Sequence, residues 1–527
     1  FGITFGILKL YQKKEFNLLN ELKKVATSTY AVIIYLLLIT IFIYTPMLGN
    51  YFVGDDFTWL RWVSNCSQNC SPISVITKYF TEANGFFYRP GTKTYFYLMY
   101  QTFWLNQVMY HLVSLVLHFM VASLFFVLAK KVLKNKLLAI SSVLLFLVMS
   151  GYQEAVFWIS STGYLFNAVF GLLGVLSFIA WDEKRKPYYL IVSFVFFSLA
   201  LLFHEIGVVL PLLVLAYKLK DGITPEIKKI YKRLDYLLLF VPVVSYLLMR
   251  LFAKSHWLSG DYSYDFVKLP LNFVGNVLGY LLLSVVGVLS LPVYELLRGV
   301  LRQNILLSII LLIVVLPLLY LGYRIFKKLD LVDRRIIIFG SLFFLITLLP
   351  FLGLGNITSR YSYLATLGIV VILALSLKKI YETSLTYGRD IAISFLAVIL
   401  IAFSLFHLIS IQQTYSDWHG AGEKSRKFFI SLDSYYTDYW SNGQVQFHFV
   451  SVPLKVGEAW VFPVGLEDAV WFAFKNNSIK IYKHADVPSA INAAGTKRSN
   501  YVLQFIDDGS VVEIDRPLDP PANLIKP

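Results

Sequence analysis

The stretch that decides the fold is Tyr30–Met47, YAVIIYLLLITIFIYTPM, which contains no charged residue. An apolar helix of this length crosses the hydrocarbon core of a bilayer, about 30 Å thick, so the segment predicts a membrane span. Gly54-Asp55-Asp56 follows shortly after it, between the aromatic residues Phe52 and Phe57. Carboxylates just outside a span, among aromatic side chains that favour the interface, indicate a functional site rather than an ordinary solvated loop.

The composition places the whole chain in a membrane. Hydrophobic residues make up 57% of it and charged residues only 15%, which predicts an all-α polytopic membrane protein. The net charge of +15 does not indicate nucleic-acid binding, because most Lys and Arg residues form short clusters between apolar runs. Such clusters set the orientation of spans and suit anionic lipid headgroups.

The basic clusters also predict the topology. Five lysines precede the first span and put the N-terminus in the cytoplasm: Lys9, Lys13, Lys14, Lys23 and Lys24. Reading onward gives about eleven transmembrane helices with the first outer loop at 49–107 and the C-terminus outside. Leu269–Gln303 fits this count as a re-entrant or interfacial pair of helices at the outer surface. Cys66 and Cys70 lie in the outer loop, where a disulfide and two free thiols are both open.

A second domain is predicted after the last span. From about Gln412 the apolar runs shorten to strand length, as in Val445–Val452, Ala469–Phe474 and Tyr501–Ile506. The chain therefore divides into a transmembrane domain, 1–411, and a small extracytoplasmic α/β or mostly β domain, 412–527.

Ionisable residues gather at the predicted outer ends of the spans. They are Asp55, Asp56, Arg89, Lys93, Glu154, His204, Glu205 and Arg360. A carboxylate in such a set can take the proton from an acceptor hydroxyl, while a guanidinium holds a departing phosphate bidentately. This chemistry suits glycosyl transfer from a lipid-phosphate sugar. The adjacent pair Asp55 and Asp56 could also hold Mg²⁺ or Mn²⁺.

Several sequence blocks, in order, resemble those of GT-C glycosyltransferases. The similarity is to the transmembrane O-mannosyltransferases with tetratricopeptide tails and to their prokaryotic relatives. The blocks are Phe52-Val53-Gly54-Asp55-Asp56, Tyr88-Arg89-Pro90, Tyr110-His111-Leu112-Val113, Glu154-Ala155-Val156, Phe203-His204-Glu205-Ile206-Gly207-Val208 and Ser359-Arg360-Tyr361-Ser362-Tyr363-Leu364. Position 204 is His where the family has Lys, position 359 is Ser where it has Glu, and the tail shows no tetratricopeptide pattern.

The resemblance implies a membrane enzyme that moves mannose or another hexose from a polyprenyl phosphate, such as dolichyl or undecaprenyl phosphate, with inversion. The acceptor would be a hydroxyl on a protein or glycan at the outer face of a prokaryotic plasma membrane. Asp55 and Asp56 would act as the base and the acceptor-orienting residue, and Glu154 would be a further catalytic residue. Arg360, Arg89, His204 and Lys93 would bind the donor phosphate, and Glu205 and Tyr361 would contact substrate.

Two other functions fit the same hydropathy. A lipid or polysaccharide transporter or flippase would place ionisable residues near mid-span, often in broken helices. Here they cluster at helix ends, which favours an enzyme. A catalytically inactive relative that binds lipid or a partner is the third reading, and the departures at His204 and Ser359 leave it open.

Overall fold

The computed structural model describes residues 28–64, 71–83, 87–220, 234–255 and 263–518. Within them the predicted architecture, a helical membrane protein with a small C-terminal α/β domain, is confirmed. The lysines before the first span and the pair Cys66 and Cys70 lie outside the described residues.

The membrane domain is built from helices α1 to α18. Their bounds are α1 Thr29–Tyr44, α2 Asp55–Ser64, α3 Pro72–Thr81, α4 Pro90–Phe103, α5 Gln107–Leu133, α6 Lys136–Val148, α7 Glu154–Phe157, α8 Thr162–Lys184, α9 Pro187–Phe203, α10 Leu210–Leu219, α11 Leu234–Leu238, α12 Val241–Phe252, α13 Leu269–Val286, α14 Leu291–Gln303, α15 Ile305–Lys328, α16 Leu331–Leu348, α17 Ser362–Ser384 and α18 Arg389–Ser434. In the described part of the chain, 8 helical stretches are long and apolar enough to cross a membrane. The apolar helices α6 and α9 are shorter. The chain is an integral membrane protein.

Polar residues divide between the two ends of the helix bundle. Basic residues occupy the last turn of α5, α8 and α15, the ends that the sequence assigns to the cytoplasm. The candidate site residues predicted from the sequence lie at the helix ends on the other side of the bundle from these basic residues. Glu154, for example, lies after the C-terminal end of α6, a helix whose first residue is Lys136. Arg360 lies just before the N-terminal end of α17, and Lys379 is near the C-terminal end of that helix. One end of the bundle therefore carries the candidate site.

Close backbone approach holds part of the bundle together. A Cβ on Gly340 of α16 would lie 2.6 Å from the carbonyl oxygen of Gly368 of α17, and the reverse distance would be 2.4 Å. Small residues allow this approach, which is how helices associate where lipid removes the hydrophobic driving force.

Residues 269–303 form a helical pair, α13 and α14. The side-chain amide of Asn276 in α13 donates to the carbonyls of Phe351, Leu352 and Leu354, at 3.3, 3.0 and 2.9 Å. These bonds fix the pair to the turn that follows α16. How the pair crosses or lies on the bilayer stays a prediction.

The predicted domain boundary at 411/412 falls inside one continuous helix. Helix α18 has 46 residues and runs through this position to Ser434. The elements that follow are α19 Asp438–Asn442, β1 Gln446–Val450, β2 Lys455–Val456, β3 Ala459–Trp460, α20 Leu466–Phe474, β4 Lys480–His484, α21 Val487–Ala494, β5 Asn500–Phe505 and β6 Val511–Glu513.

The C-terminal domain packs its sheet against the end of α18. The strand order is β4-β1-β5-β6, in which β1 is parallel to both neighbours and β6 is antiparallel to β5. Phe428 of α18 contacts the rings of Phe449, Phe462 and Phe505, so the helix belongs to the core of this domain. Strands β2 and β3 form a separate hairpin.

Candidate active site

Asp56 anchors the acidic motif to the rest of the membrane domain. It is 1% exposed, and its Oδ2 accepts from the backbone N–H of Val53 at 2.9 Å. Its Oδ1 accepts from the backbone N–H of Ser160 at 2.8 Å and from the Ser160 hydroxyl. Burial raises the pKa of Asp56 to about 7, against the effect of these hydrogen bonds. Both carboxylate oxygens therefore hold the local structure.

Asp55 is the carboxylate of the pair that remains available. It is half-buried, and its side chain makes no hydrogen bond or ion pair with any residue that the structure describes. Burial raises the pKa of Asp55 to about 6, while the positive charges of Arg360 and Arg89 act to lower it. The motif thus separates into a structural and a free carboxylate, and the free one has a pKa close to neutral, as a general base requires.

Arg89 and Glu205 form an ion pair beside the motif. Arg89 Nε lies 2.7 Å from Glu205 Oε2 and Nη2 lies 2.6 Å from Oε1, so the pair is bidentate. Burial acts to raise the pKa of Glu205, but the Arg89 guanidinium holds it well below its usual range. Arg89 comes directly before α4, and Glu205 begins the short turn after α9.

Glu154 and Arg360 form a second ion pair. Arg360 Nη1 and the indole Nε1 of Trp460, at 3.1 Å, both donate to Oε1 of Glu154. The other oxygen, Oε2, accepts from the Arg360 backbone N–H at 3.2 Å and from the Ser359 hydroxyl at 3.4 Å. The guanidinium also lies over the Trp158 ring, 5.2 Å from its centroid. Glu154 is therefore a buried, fully hydrogen-bonded carboxylate.

Lys93 is the cation that lacks a carboxylate. It is 6% exposed and makes no hydrogen bond or ion pair within the described ranges. Its Nζ faces the Trp62 ring, 5.3 Å from the centroid. Burial lowers the pKa of Lys93, and the negative charge of Glu82 offsets part of this effect. An anion bound beside Lys93 would offset the free-energy cost of burying its ammonium charge.

His204 does not replace the positive charge of the lysine that the related motif carries. Burial and the charge of Arg89 lower the pKa of His204 to about 3, so the ring is neutral. Its Nδ1 accepts from the backbone N–H of Ile206 at 3.2 Å, which assigns the proton to Nε2. That buried Nε2 has no partner among the residues described, so His204 can offer a neutral donor.

Tyr361 lies in the core rather than on an open surface. It is 1% exposed and stacks on Phe351, with ring centroids 3.8 Å apart and an angle of 2° between the planes. Its ring also lies 5.0 Å from the Arg360 guanidinium carbon. It supports Arg360 from behind, and the predicted substrate contact stays a prediction.

The C-terminal domain closes over the acidic motif. Asp468 of α20 accepts from the Thr58 hydroxyl and, at 2.8 Å, from Nη1 of Arg61, both in α2. Gly465 has φ +84°, and a Cβ there would lie 2.2 Å from the Gly54 carbonyl oxygen. These contacts were not predicted, because no pattern in the sequence links the strand-rich tail to a loop some four hundred residues earlier.

A cleft of about 610 Å³, including its open mouth, lies at the seam between the domains. It runs between α14 and the β2–β3 hairpin, with Glu154 in its wall. Its other polar and aromatic lining residues are Glu295, Thr358, Ser359, Thr414, Trp418, Lys455, Glu458 and Trp460. Burial raises the pKa of the Glu458 carboxyl, which has no side-chain partner in the part of the chain that the structure describes.

The two acidic residues of the motif do not by themselves form a metal site in the part of the chain that the structure describes. The described ranges contain no group of three or more His, Cys, Asp or Glu side chains that could hold a metal ion. Both oxygens of Asp56 are occupied by hydrogen bonds, so the predicted two-carboxylate site has one free member, Asp55. No step of the proposed reaction is assigned to a metal.

No protein-family model and no curated protein sequence matches the chain. Solved structures do match it. One is the archaeal oligosaccharyltransferase AglB from Archaeoglobus fulgidus in complex with an inhibitory peptide and a dolichol-phosphate. It is 12% identical to this chain with a TM-score of 0.45, and the match covers 94% of this chain and 75% of that one. ArnT from Cupriavidus metallidurans bound to undecaprenyl phosphate is 11% identical with a TM-score of 0.44, over 91% and 93%.

Both similarities are at 11–12% sequence identity and TM-scores of 0.44–0.45, so they carry no argument about the family or the activity of this chain. At this level of identity the likeness concerns the course of the chain only. The function proposed below is supported by the sequence motifs and by the geometry of the side chains.

Proposed function

We propose that this protein is a GT-C glycosyltransferase that moves a single sugar, mannose or another hexose, from a polyprenyl phosphate to an acceptor hydroxyl on the outer face. The observation that carries the proposal is the free carboxylate of Asp55, with a pKa of about 6, within the electrostatic reach of Arg89 and Arg360. A base and phosphate-binding cations side by side are what this transfer needs.

Asp55 is the base in this reaction. Its carboxylate takes the proton of the acceptor hydroxyl as the hydroxyl oxygen bonds to the anomeric carbon. The bond from that carbon to the phosphate oxygen breaks at the same time, and the electron pair leaves with the phosphate, which inverts the configuration. Asp56 supports the base by fixing the start of α2, because its oxygens hold Val53 and Ser160.

The cations hold the departing phosphate. Lys93 offers a buried ammonium without a counterion, and His204 offers an unpartnered Nε2–H. Arg360 can donate two parallel hydrogen bonds to the phosphate once its guanidinium leaves Glu154. Arg89 stays paired with Glu205 and contributes through its positive charge. Charge-assisted hydrogen bonds in a water-poor site are strong, so they favour the state in which the phosphate carries the leaving charge.

The seam cleft is the proposed entry for the acceptor. It has Glu154 in its wall and opens beside α14, on which Val293 and Leu296 are exposed. A hydroxyl arriving by this route reaches the site from outside the helix bundle. Glu205 and Tyr361 are proposed to shape the donor side through Arg89 and Arg360.

Sugar transfer and sugar release by the purified protein test the proposal. The protein would receive polyprenyl-phosphate mannose or glucose, with wild type beside Asp55→Asn, Asp56→Asn and the control Asp390→Asn. Asp390 is exposed at the start of α18, at the opposite end of the bundle. We expect turnover in wild type and in the control, and its loss in Asp55→Asn.

Other outcomes would point elsewhere. Full activity in Asp55→Asn would move the chemistry away from the acidic motif. Binding of the lipid-phosphate sugar without turnover in wild type would support an inactive relative. Movement of the intact lipid between leaflets of a vesicle would support a flippase.

A further inference from the structure

The β2–β3 hairpin of the C-terminal domain is fixed to helix α18. Asp417 in α18 accepts from the backbone N–H of Glu458 through Oδ2 at 3.1 Å and from Gln413 through Oδ1 at 3.1 Å. Gly457 has φ +52°, and a Cβ there would lie 2.2 Å from Asp417 Oδ2. The turn of the hairpin is thus held by a side chain of the helix that enters from the membrane.

The hairpin presents Trp460 to the candidate site. The indole Nε1–H donates to Oε1 of Glu154 at 3.1 Å, the same oxygen that receives Nη1 of Arg360. Lys455 lies over the outer face of the indole, with Nζ 4.0 Å from the ring centroid. The position of Trp460 is therefore fixed from the hairpin and from the cation above it.

Glu154 holds the guanidinium that the proposed reaction needs. For Arg360 to bind a phosphate through both Nη atoms, Nη1 has to leave Glu154, a carboxylate that is 7% exposed. A buried carboxylate without donors is very costly. After the guanidinium leaves, three donors remain on Glu154: the Trp460 indole, the Ser359 hydroxyl and the Arg360 backbone N–H.

We propose that Trp460 is a positioning residue that lets Arg360 exchange Glu154 for the donor phosphate; this rests on the proposed function. Trp460 and Arg360 share one oxygen, so the indole hydrogen bond is stronger when the guanidinium is absent. Trp460 therefore stabilises the phosphate-bound arrangement more than the free one. The two states are Arg360 bound to Glu154 and Arg360 bound to the phosphate. A phosphate ligand shifts the equilibrium between them only by its difference in affinity for the two states, and Trp460 contributes to that difference.

Trp460→Phe tests the proposal because it removes the N–H and keeps an aromatic ring. The indole bonds to Glu154 in both states, so only the gain in this hydrogen bond when the guanidinium leaves affects donor binding; we expect an increase in the donor KM of up to about tenfold, with kcat within about threefold of wild type. The matched control is Trp471→Phe in the same domain, whose indole donates to Asn477 at 2.7 Å, away from Glu154. A direct measurement of undecaprenyl phosphate binding to each variant gives the same comparison without turnover.

Glu154→Gln provides the second arm. A neutral amide does not hold Arg360 as an ion pair, so Trp460→Phe should change donor affinity less than twofold when combined with Glu154→Gln. An unchanged donor KM in Trp460→Phe, a loss confined to kcat, or an equal loss in Trp471→Phe would each overturn the proposal. If wild type shows no turnover, the proposed function fails, and the phosphate-binding comparison still decides whether Trp460 acts on Arg360.

Discussion

Replacing Asp55 by Asn should stabilise the protein while it abolishes activity. The folded state raises the pKa of Asp55 from an ordinary value of 3.8 to about 6. At 1.36 kcal/mol for each pKa unit, the ionised carboxylate costs the folded state up to about 3 kcal/mol. The side chain is half-buried, and solvent screening lowers this ceiling, so we expect a gain of about 1–2 kcal/mol.

The sign of the pH dependence follows from the direction of that pKa change. A raised pKa in the folded state means that the folded protein binds the proton more tightly than the unfolded chain. The stabilising contribution of Asp55 is complete below about pH 4 and is lost as the pH rises through about 6. The advantage of Asp55→Asn should therefore be absent near pH 4 and complete above pH 7.

Thermal unfolding of the detergent-solubilised protein, followed by tryptophan fluorescence, measures this. Wild type, Asp55→Asn and the control Asp390→Asn would be compared between pH 4 and pH 8. We expect Asp55→Asn to raise Tm by about 1–2 °C above pH 7, because the unfolding entropy of a chain of 527 residues is large, and the control to match wild type. In wild type, kcat should fall about tenfold for each pH unit below the pKa of about 6.

Two results would refute this reasoning. A lower Tm for Asp55→Asn at pH 8 would show that the carboxylate stabilises the fold and is not a free base. The same Tm difference at pH 4 and pH 8 would show that the effect of the substitution does not come from charge.

Two further predictions concern the surroundings of Asp55. Asp56→Asn should lower Tm, since an amide cannot accept all the hydrogen bonds that Asp56 receives, and each buried donor left without an acceptor costs about 1–3 kcal/mol; an unchanged Tm in the same assay would contradict this. Gly465→Ala should reduce activity and make the C-terminal domain more sensitive to limited proteolysis, because the Cβ would lie 2.2 Å from the Gly54 carbonyl oxygen. The control is Gly495→Ala: Gly495 also has a positive φ, +60°, but no atom lies within 4 Å of a Cβ added there. Equal effects of the two substitutions would refute a role for the contact between the domains.

The fold class was predictable because hydropathy reports directly on the membrane. The apolar runs gave the helices to within a few residues, as in Tyr30–Met47 against an observed stretch of Thr29–Gly49. The end of the last span was less predictable. Helix α18 continues beyond Gln412 to Ser434 without a proline, and Gly422 lies within it where a Cβ would come 2.7 Å from the backbone nitrogen of Tyr51.

The grouping of the candidate site residues at one end of the bundle could be predicted from the sequence, but their pairings could not, and their roles in a site stay predictions. Helix ends on one side of the bundle had to lie near one another, and the pKa of Asp55 does respond to Arg89, Glu154 and Arg360. Which carboxylate is free depends on three-dimensional neighbours such as Ser160, and no local pattern reports these. Trp460 could not be identified, since an indole in a two-residue strand has no sequence feature that distinguishes it from a core residue.

The unbroken helix α18 makes the number of residues between the two domains a design constraint. A helix of 46 residues is about 70 Å long, and each inserted residue would turn the C-terminal domain by about 100° and move it outward by about 1.5 Å. A single insertion would therefore rotate the hairpin away from Glu154, whereas an insertion of seven residues would restore the angle to within about 20° but move the domain outward by about 10 Å. Chimaeras that exchange the C-terminal domain should be joined in helical phase and at equal length.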